Sequence, residues 1–288
     1  MRLSLRVIIS LTAAALLLAT PRGALAQESP YFVTYDHYLE EPGNLEVAVA
    51  TTTGLPRTNA GAYTAPWLEL EYGVKGWWTT ELYLEGVTTS RDGAGFSGWR
   101  WEHRIRPLKT EHLINPVLYF EYEDINEASR IQKEIVGAGP LAFEPIRDLR
   151  QAHARELEGK LILSTAAGAW NIAENIVFEK NLSEAEGVEF GYSVGVSRPL
   201  ASIASGSSCR FCRENVSAGV EAYGGLGSTL ERGFTDTRHF LAPVVSWRVS
   251  DHSTLKLSTA FGLTEASDRY LLRIGWAYEV PTRKGRRP

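Results

Sequence analysis

The sequence predicts an all-β protein: a transmembrane antiparallel β-barrel of about 12 strands with one long, partly helical extracellular loop. Three observations predict it. The N-terminus carries a basic and then apolar segment of the kind that directs export. The remaining chain alternates apolar with polar or charged residues and returns every few residues to a Gly, Pro, Asn or Asp turn. Beyond residue 26 no apolar run approaches the roughly 18 residues of a spanning helix, so any crossing of a bilayer must use strands, and a closed barrel is the sheet that pairs every backbone group in lipid.

Arg2 and Arg6 precede the apolar stretch Val7 to Leu18, and Ala24-Leu25-Ala26 forms a small-x-small cleavage site before Gln27. Residues 1–26 are therefore expected to be a signal peptide and 27–288 the mature barrel, exported to the outer membrane of a Gram-negative-type bacterium. Cleavage removes three arginines and no acid from a total of 30 basic and 34 acidic residues, leaving 27 against 34. An acidic chain argues against a nucleic-acid partner. The expected partners are outer-membrane lipids, the barrel assembly machinery, and ions or small solutes in transit. Ten Phe, eight Trp and twelve Tyr accompany a single Met, a balance suited to strands.

The elements follow in order. The first candidate, 44 to 53, opens the alternation, and 63 to 74 carries it through Leu68-Glu69-Leu70-Glu71. Candidates 76 to 89 and 95 to 106 alternate most sharply, as Glu81-Leu82-Tyr83-Leu84-Glu85 and Trp99-Arg100-Trp101-Glu102. Candidates 115 to 125 and 154 to 165 set Leu118 and Phe120 against Glu121 and Glu123, then Leu161 and Leu163 against Glu156, Glu158 and Lys160. In 168 to 180, Glu174 interrupts the row of Trp170, Ile172, Ile176 and Phe178, which predicts a bulge or an inverted face. Candidates 186 to 199 and 214 to 224 follow. In 238 to 249, Pro243 is a defect within the strand, tolerable above the membrane near an irregular edge. Candidate 252 to 263 precedes 268 to 280, which places Tyr270, Leu272, Ile274, Trp276 and Tyr278 in one row.

Energy assigns the faces. Arg or Lys on the lipid face near midplane costs roughly 2 to 4 kcal/mol, and Glu somewhat less, so the charged rows should point inward. The predicted interior residues are Glu69, Glu71, Glu81, Tyr83, Glu85, Arg100, Glu102, Arg104, Arg106, Glu121, Glu123, Glu156, Glu158 and Lys160. Such an interior reads as a narrow polar pore, or as a lumen closed by mutual Glu/Arg pairing. Twelve strands fall between the packed interior of eight and the aqueous channel of sixteen. Trp77, Trp78, Trp170, Trp247, Trp276 and Tyr278 are expected to form interfacial girdles.

The connection from Asn126 to His153 is the longest. Ala128, Ile131 and Ile135 repeat at helical spacing before Pro140 and Pro145, which predicts a partly helical loop. Two motif matches read as parts of the barrel instead of sites. Gly191-Tyr192-Ser193-Val194-Gly195 lacks the strand-to-helix turn of a nucleophile elbow, and its small residues share one face, as a lumen-side row would. Gly93 to Gly98 runs into Trp99-Arg100-Trp101, not into the helix a dinucleotide site needs, and reads as a hairpin loop. Cys209 and Cys212, in an exported Gly/Ser-rich connection, predict a local disulfide. No catalytic residue, metal or cofactor is expected.

The segments Leu68 to Val74, Trp77 to Gly86, Gly168 to Ile172 and Phe261 to Tyr278 resemble uncharacterised bacterial outer-membrane barrel proteins. They are similar in particular to the channel-like group found beside aromatic-compound degradation genes. The resemblance implies a barrel and passage of small solutes, and supplies no catalytic or binding residue. Barrels of this kind commonly end on an aromatic residue, whereas here Tyr278 is followed by Glu279, Val280 and a basic tail. The expected function is a passive channel for ions or small solutes; the alternatives are a closed structural or adhesive barrel working through its loops, and an outer-membrane hydrolase.

Overall fold

The computed structural model describes residues 29–57, 61–89, 93–126, 153–200, 215–231, 233 and 237–280. Twelve strands form a closed antiparallel barrel: β1 (Leu45–Leu55), β2 (Tyr63–Lys75), β3 (Trp78–Thr89), β4 (Gly93–Ile105), β5 (Asn115–Asn126), β6 (His153–Ala167), β7 (Trp170–Asn181), β8 (Glu189–Pro199), β9 (Val216–Ser228), β10 (His239–Ser250), β11 (Ser253–Gly262) and β12 (Tyr270–Val280). Each strand pairs with its sequence neighbours, and β1 closes on β12 from Leu45 opposite Val280 to Leu55 opposite Tyr270. Closure leaves no edge strand. The predicted signal segment, the body of the 126–153 loop, Cys209 and Cys212, and the basic tail lie outside the described residues.

Alternation sets the two faces. Outward rows are apolar and exposed, as with Leu118 and Phe120 on β5 and Tyr270, Leu272, Ile274, Trp276 and Tyr278 on β12. The rim that holds the start of β1 and the end of β12 also carries the tight turns 76–77, 168–169 and 251–252, so it is the rim expected to face the periplasm. Trp77, Trp170, Trp276 and Tyr278 gather at that rim, with the Trp276 and Tyr278 rings stacked at 6.0 Å. Phe96, Phe178, Phe261 and Tyr270 lie toward the other. These are the two aromatic belts of a membrane barrel.

One local expectation is corrected, and one strand-interior proline is accommodated. Glu174 stays in the outward row, paired with Leu163 and Val194 in continuous register, so no bulge intervenes and the face does not invert. One carboxylate in an otherwise apolar row is a tolerable cost, less than that of Arg or Lys. Pro243 lies inside β10 and faces outward between Leu241 and Val245. Pairing with β11 runs through Leu241–Phe261 and resumes at Val244–Ser258 in the same register, and the Ser258 hydroxyl donates to the Pro243 carbonyl at 2.9 Å. A proline removes only one donor, and this side-chain bond re-engages the adjacent carbonyl.

The Gly93–Gly98 segment, expected as a hairpin loop leading into a strand from 95, already belongs to β4, which starts at Gly93. Gly98, with φ of 152°, sits opposite the irregular step between Glu85 and Gly86, where a Cβ would lie 2.6 Å from the Asp124 carbonyl oxygen. Glycine is needed there for both conformation and space.

Candidate functional site

The interior has two unlike walls. Strands β2 to β7 project Glu69, Glu71, Glu81, Glu85, Glu102, Glu121, Glu123, Glu156, Glu158 and Glu179 inward with Arg100, Arg104 and Lys160, and most of these side chains are buried. Strands β8, β9 and β11 to β1 project mainly small residues, among them Gly191, Ser193, Gly195, Ser197, Ser217, Gly219, Gly275, Ala277, Ala48 and Ala50. The first wall is crowded with charge. The second leaves volume.

Cations tie the charged wall together. Arg104 spans Glu71 at 2.5 Å, Glu81, and Glu102 at 3.2 Å. Arg100 spans Glu85 at 2.5 Å and Glu121 at 2.8 Å, with its guanidinium 4.1 Å from the Tyr83 ring centroid. Lys160 pairs with Glu158 at 2.7 Å and lies 3.9 Å over the Tyr119 ring. Buried ion pairs in such multi-way networks are held by hydrogen bonds on both partners. Arg106 departs from the row: it follows the end of β4 and donates to the Gly76 carbonyl at 3.1 Å, at the rim of the tight turns.

The vacated volume holds the chain itself. Residues 29–44, a strap with no regular secondary structure, enter from the rim of the tight turns and cross the lumen. Both oxygens of Glu221 on β9 serve it: the amide of Phe32 donates to Oε1 at 2.9 Å, and those of Val33 and Thr34 donate to Oε2 at 2.8 Å each. Asn175 on β7 then clamps Tyr35 as a strand would, with its Oδ1 accepting the amide at 2.7 Å and its Nδ2 donating to the carbonyl at 2.8 Å. Ser164 on β6 accepts the His37 amide at 2.9 Å. Consecutive backbone donors, lacking a ladder, are thus satisfied by buried side chains.

Strap side chains supply the interior with an apolar core. Val33 packs against Val177, Tyr223, Phe240, Ala242, Ala260 and Leu271. Tyr35 and Leu39 pack against Val117, Tyr119 and Ile162. The row Gly191, Ser193, Gly195 and Ser197, lumen-facing as expected, is the seat: a Cβ on Gly195 would lie 2.7 Å from the Tyr31 ring. Ser193 donates to Asn175 at 3.1 Å, which orients the clamp.

The strap carries its own titratable groups. Burial pushes the Asp36 carboxyl up, although the Tyr38 amide at 3.0 Å and Asn171 at 2.9 Å donate to it. Burial pushes His37 down; its Nδ1 is 2.5 Å from Ser164 Oγ and its Nε2 3.6 Å from Glu111. Glu40 is pushed up to about 7, by burial first and the Glu279 carboxylate second. Past Glu40 the strap meets the wall closely. The Gly43 amide donates to the Gly73 carbonyl at 2.7 Å, and a Cβ on Gly73 would lie 2.0 Å from the Glu41 carbonyl oxygen.

Between the strap and the wall lies a cavity of about 390 Å³, bordered by Thr52, Glu69, Glu71, Glu81, Glu85, Arg100 and Lys256, with Tyr35 and Glu40 on the strap side. At about 30 Å³ per water it holds on the order of a dozen. Thus the predicted interior residues other than Arg106 line one wall from within, and several border the cavity. The strap itself was missed, as were Glu221, Asn175 and Ser164, which hold it. Its signal was present as Tyr31, Phe32, Tyr35 and Tyr38 in a stretch assigned to no strand.

Comparison with known proteins supports the fold. No protein-family model and no curated protein matches the chain. Among solved structures, an outer-membrane channel from Pseudomonas putida F1 is similar at a TM-score of 0.53 with 11% identity, over 85% of this chain and 98% of that one. The NanC porin aligns at a TM-score of 0.49 with 10% identity, over 82% of this chain and 100% of that one. The KdgM porin aligns at 0.47 with 7% identity, over 82% and 98%. The chain has the fold of a twelve-stranded outer-membrane β-barrel.

Proposed function

We propose that the protein is a passive outer-membrane channel for small ions and solutes, with a narrow path along the acidic wall beside the strap. The observation that carries this reading is the cavity bordered by Glu69, Glu71, Glu81 and Glu85. Inward glutamates outnumber inward cations, and Arg100, Arg104 and Lys160 are engaged with glutamates at short range. A low-dielectric passage with a surplus of carboxylates favours cations over anions. The similarity to a channel barrel supports passage in general, and the aromatic belts support an outer-membrane location.

Single-channel recording of the refolded protein in a planar bilayer tests the proposal. Discrete steps with cation preference are expected, and Glu69→Gln combined with Glu46→Gln, the latter an inward β1 glutamate on the same cavity, should lower that preference while the barrel remains inserted. Equal cation and anion permeability in both proteins would refute the selectivity. The strap crossing the lumen favours a second reading, a closed barrel acting through its loops. Inserted protein that passes no current would establish it.

A further inference from the structure

We propose that the outer wall of β5–β7 binds an acyl chain of a phosphorylated glycolipid from the outer leaflet. The site is a groove of about 440 Å³ on the lipid-facing surface, centred on Gly159. Gly159 pairs directly with Phe120 on one side and Phe178 on the other, and both rings stand exposed beside it. Its backbone does not require glycine. Its φ lies outside the left-handed region, and an added Cβ would meet nothing nearer than the Tyr119 carbonyl oxygen at 3.8 Å. A strand-interior glycine without a conformational reason is a net cost, and it marks a place where something else approaches closely. What it leaves here is an apolar notch, with Trp101 and Leu157 extending its walls along the barrel.

Charge chooses the occupant. The groove's end toward the long-loop rim carries Lys180, and Arg155 stands diagonally across from it one step further out, since Leu157 pairs with Lys180 in the register that sets Arg155 beyond. Arg155 is 66% exposed and lies 3.8 Å from Asp124, and the half-buried Lys180 donates to the Glu186 carbonyl, so both basic groups lie on the outer face toward the long-loop rim. An acyl chain in the notch would place its phosphorylated head against this pair. Apolar contact along the chain and charge-assisted bonds at its head are the two terms of such recognition. The rim is the one opposite the termini, which makes the outer leaflet the source.

The test uses full-length mature protein refolded into phosphatidylcholine nanodiscs and titrated with lipid A, with retained lipid read by native mass spectrometry. Lipid A should be retained in preference to phosphatidylglycerol and phosphatidylcholine. Gly159→Leu, which fills the notch without touching the charges, and the pair Lys180→Gln with Arg155→Gln should each weaken retention roughly tenfold, the fold-change of one lost favourable contact set. If Gly159→Leu retains lipid A like the wild type, the groove is not the seat, whatever the charge variant does. Equal retention of phosphatidylglycerol would overturn the glycolipid assignment. The channel reading is independent of these outcomes, because neither variant touches the lumen.

Discussion

Glu221→Gln should release the strap while leaving the barrel intact. The wild-type carboxylate is fully buried and accepts three backbone amides at 2.8 to 2.9 Å. The isosteric amide keeps one oxygen, which can still serve Val33 and Thr34, but it turns an NH₂ toward the Phe32 amide. One bond to a charged acceptor, worth about 1.5 to 3 kcal/mol, is lost outright, and two others fall to neutral strength at about 0.5 to 1.5 kcal/mol each. The expected loss is about 3 kcal/mol or more of strap docking, a factor of roughly a hundred or more in the docked population. Hydrogen exchange of the amides at 32 to 34 reads it directly. Their protection should fall by about that factor in the variant, whereas the strand amides of β7 to β9 stay protected. Protection unchanged at 32 to 34, with the barrel folded in both proteins, would refute the claim that Glu221 anchors the strap.

Other perturbations give distinct readouts. Arg104→Gln leaves Glu71, Glu81 and Glu102 without their shared cation and should destabilise the barrel by about 3 to 5 kcal/mol, seen as a lower denaturant midpoint. Gly195→Val drives a side chain into the Tyr31 ring and should expose the strap amides without lowering barrel stability comparably; retained protection would show that the seat tolerates bulk. Glu40 holds its proton up to about 7 when docked, against an ordinary 4.5. Its contribution to docking is therefore fully present below 4.5 and lost as pH rises through about 7. His37 acts with the opposite sign, being held neutral by burial and disfavouring docking as pH falls below its ordinary 6.5. Comparison of wild type with Glu40→Gln isolates the first effect: strap protection should decline from about pH 5 to about pH 8 more steeply in the wild type. The pair Cys209 and Cys212 should resist alkylation before reduction, and two alkylated thiols would exclude the disulfide.

The barrel was legible because its signal is local. Glu81, Tyr83 and Glu85 against Leu82 and Leu84 define a period of two and a charged face, and lipid forces that face inward. The seat was half legible. The pentapeptide from Gly191 to Gly195 read correctly as a lumen row, but nothing in its own spacing says what fills the space above it. The strap was illegible for a physical reason: it has no ladder and no period, and its amides are satisfied by Glu221, Asn175 and Ser164, which lie more than a hundred residues away in sequence. Pro243 was legible as an interruption inside a strand, and an established register on both sides carries the strand through it.

The strap is continuous with β1, joined to it through the residues between Leu39 and Leu45, and is thereby held beside its own seat. A segment on so short a tether experiences an effective concentration in the millimolar range. Occupancy of the lumen therefore does not require tight intrinsic affinity. A free solute competing for Glu221 and Asn175 must reach comparable concentration or bind far better than the strap does. Cutting the chain between Leu39 and Leu45 would abolish that advantage while leaving the contacts of residues 31–38 in place, turning a permanent resident into an exchangeable one.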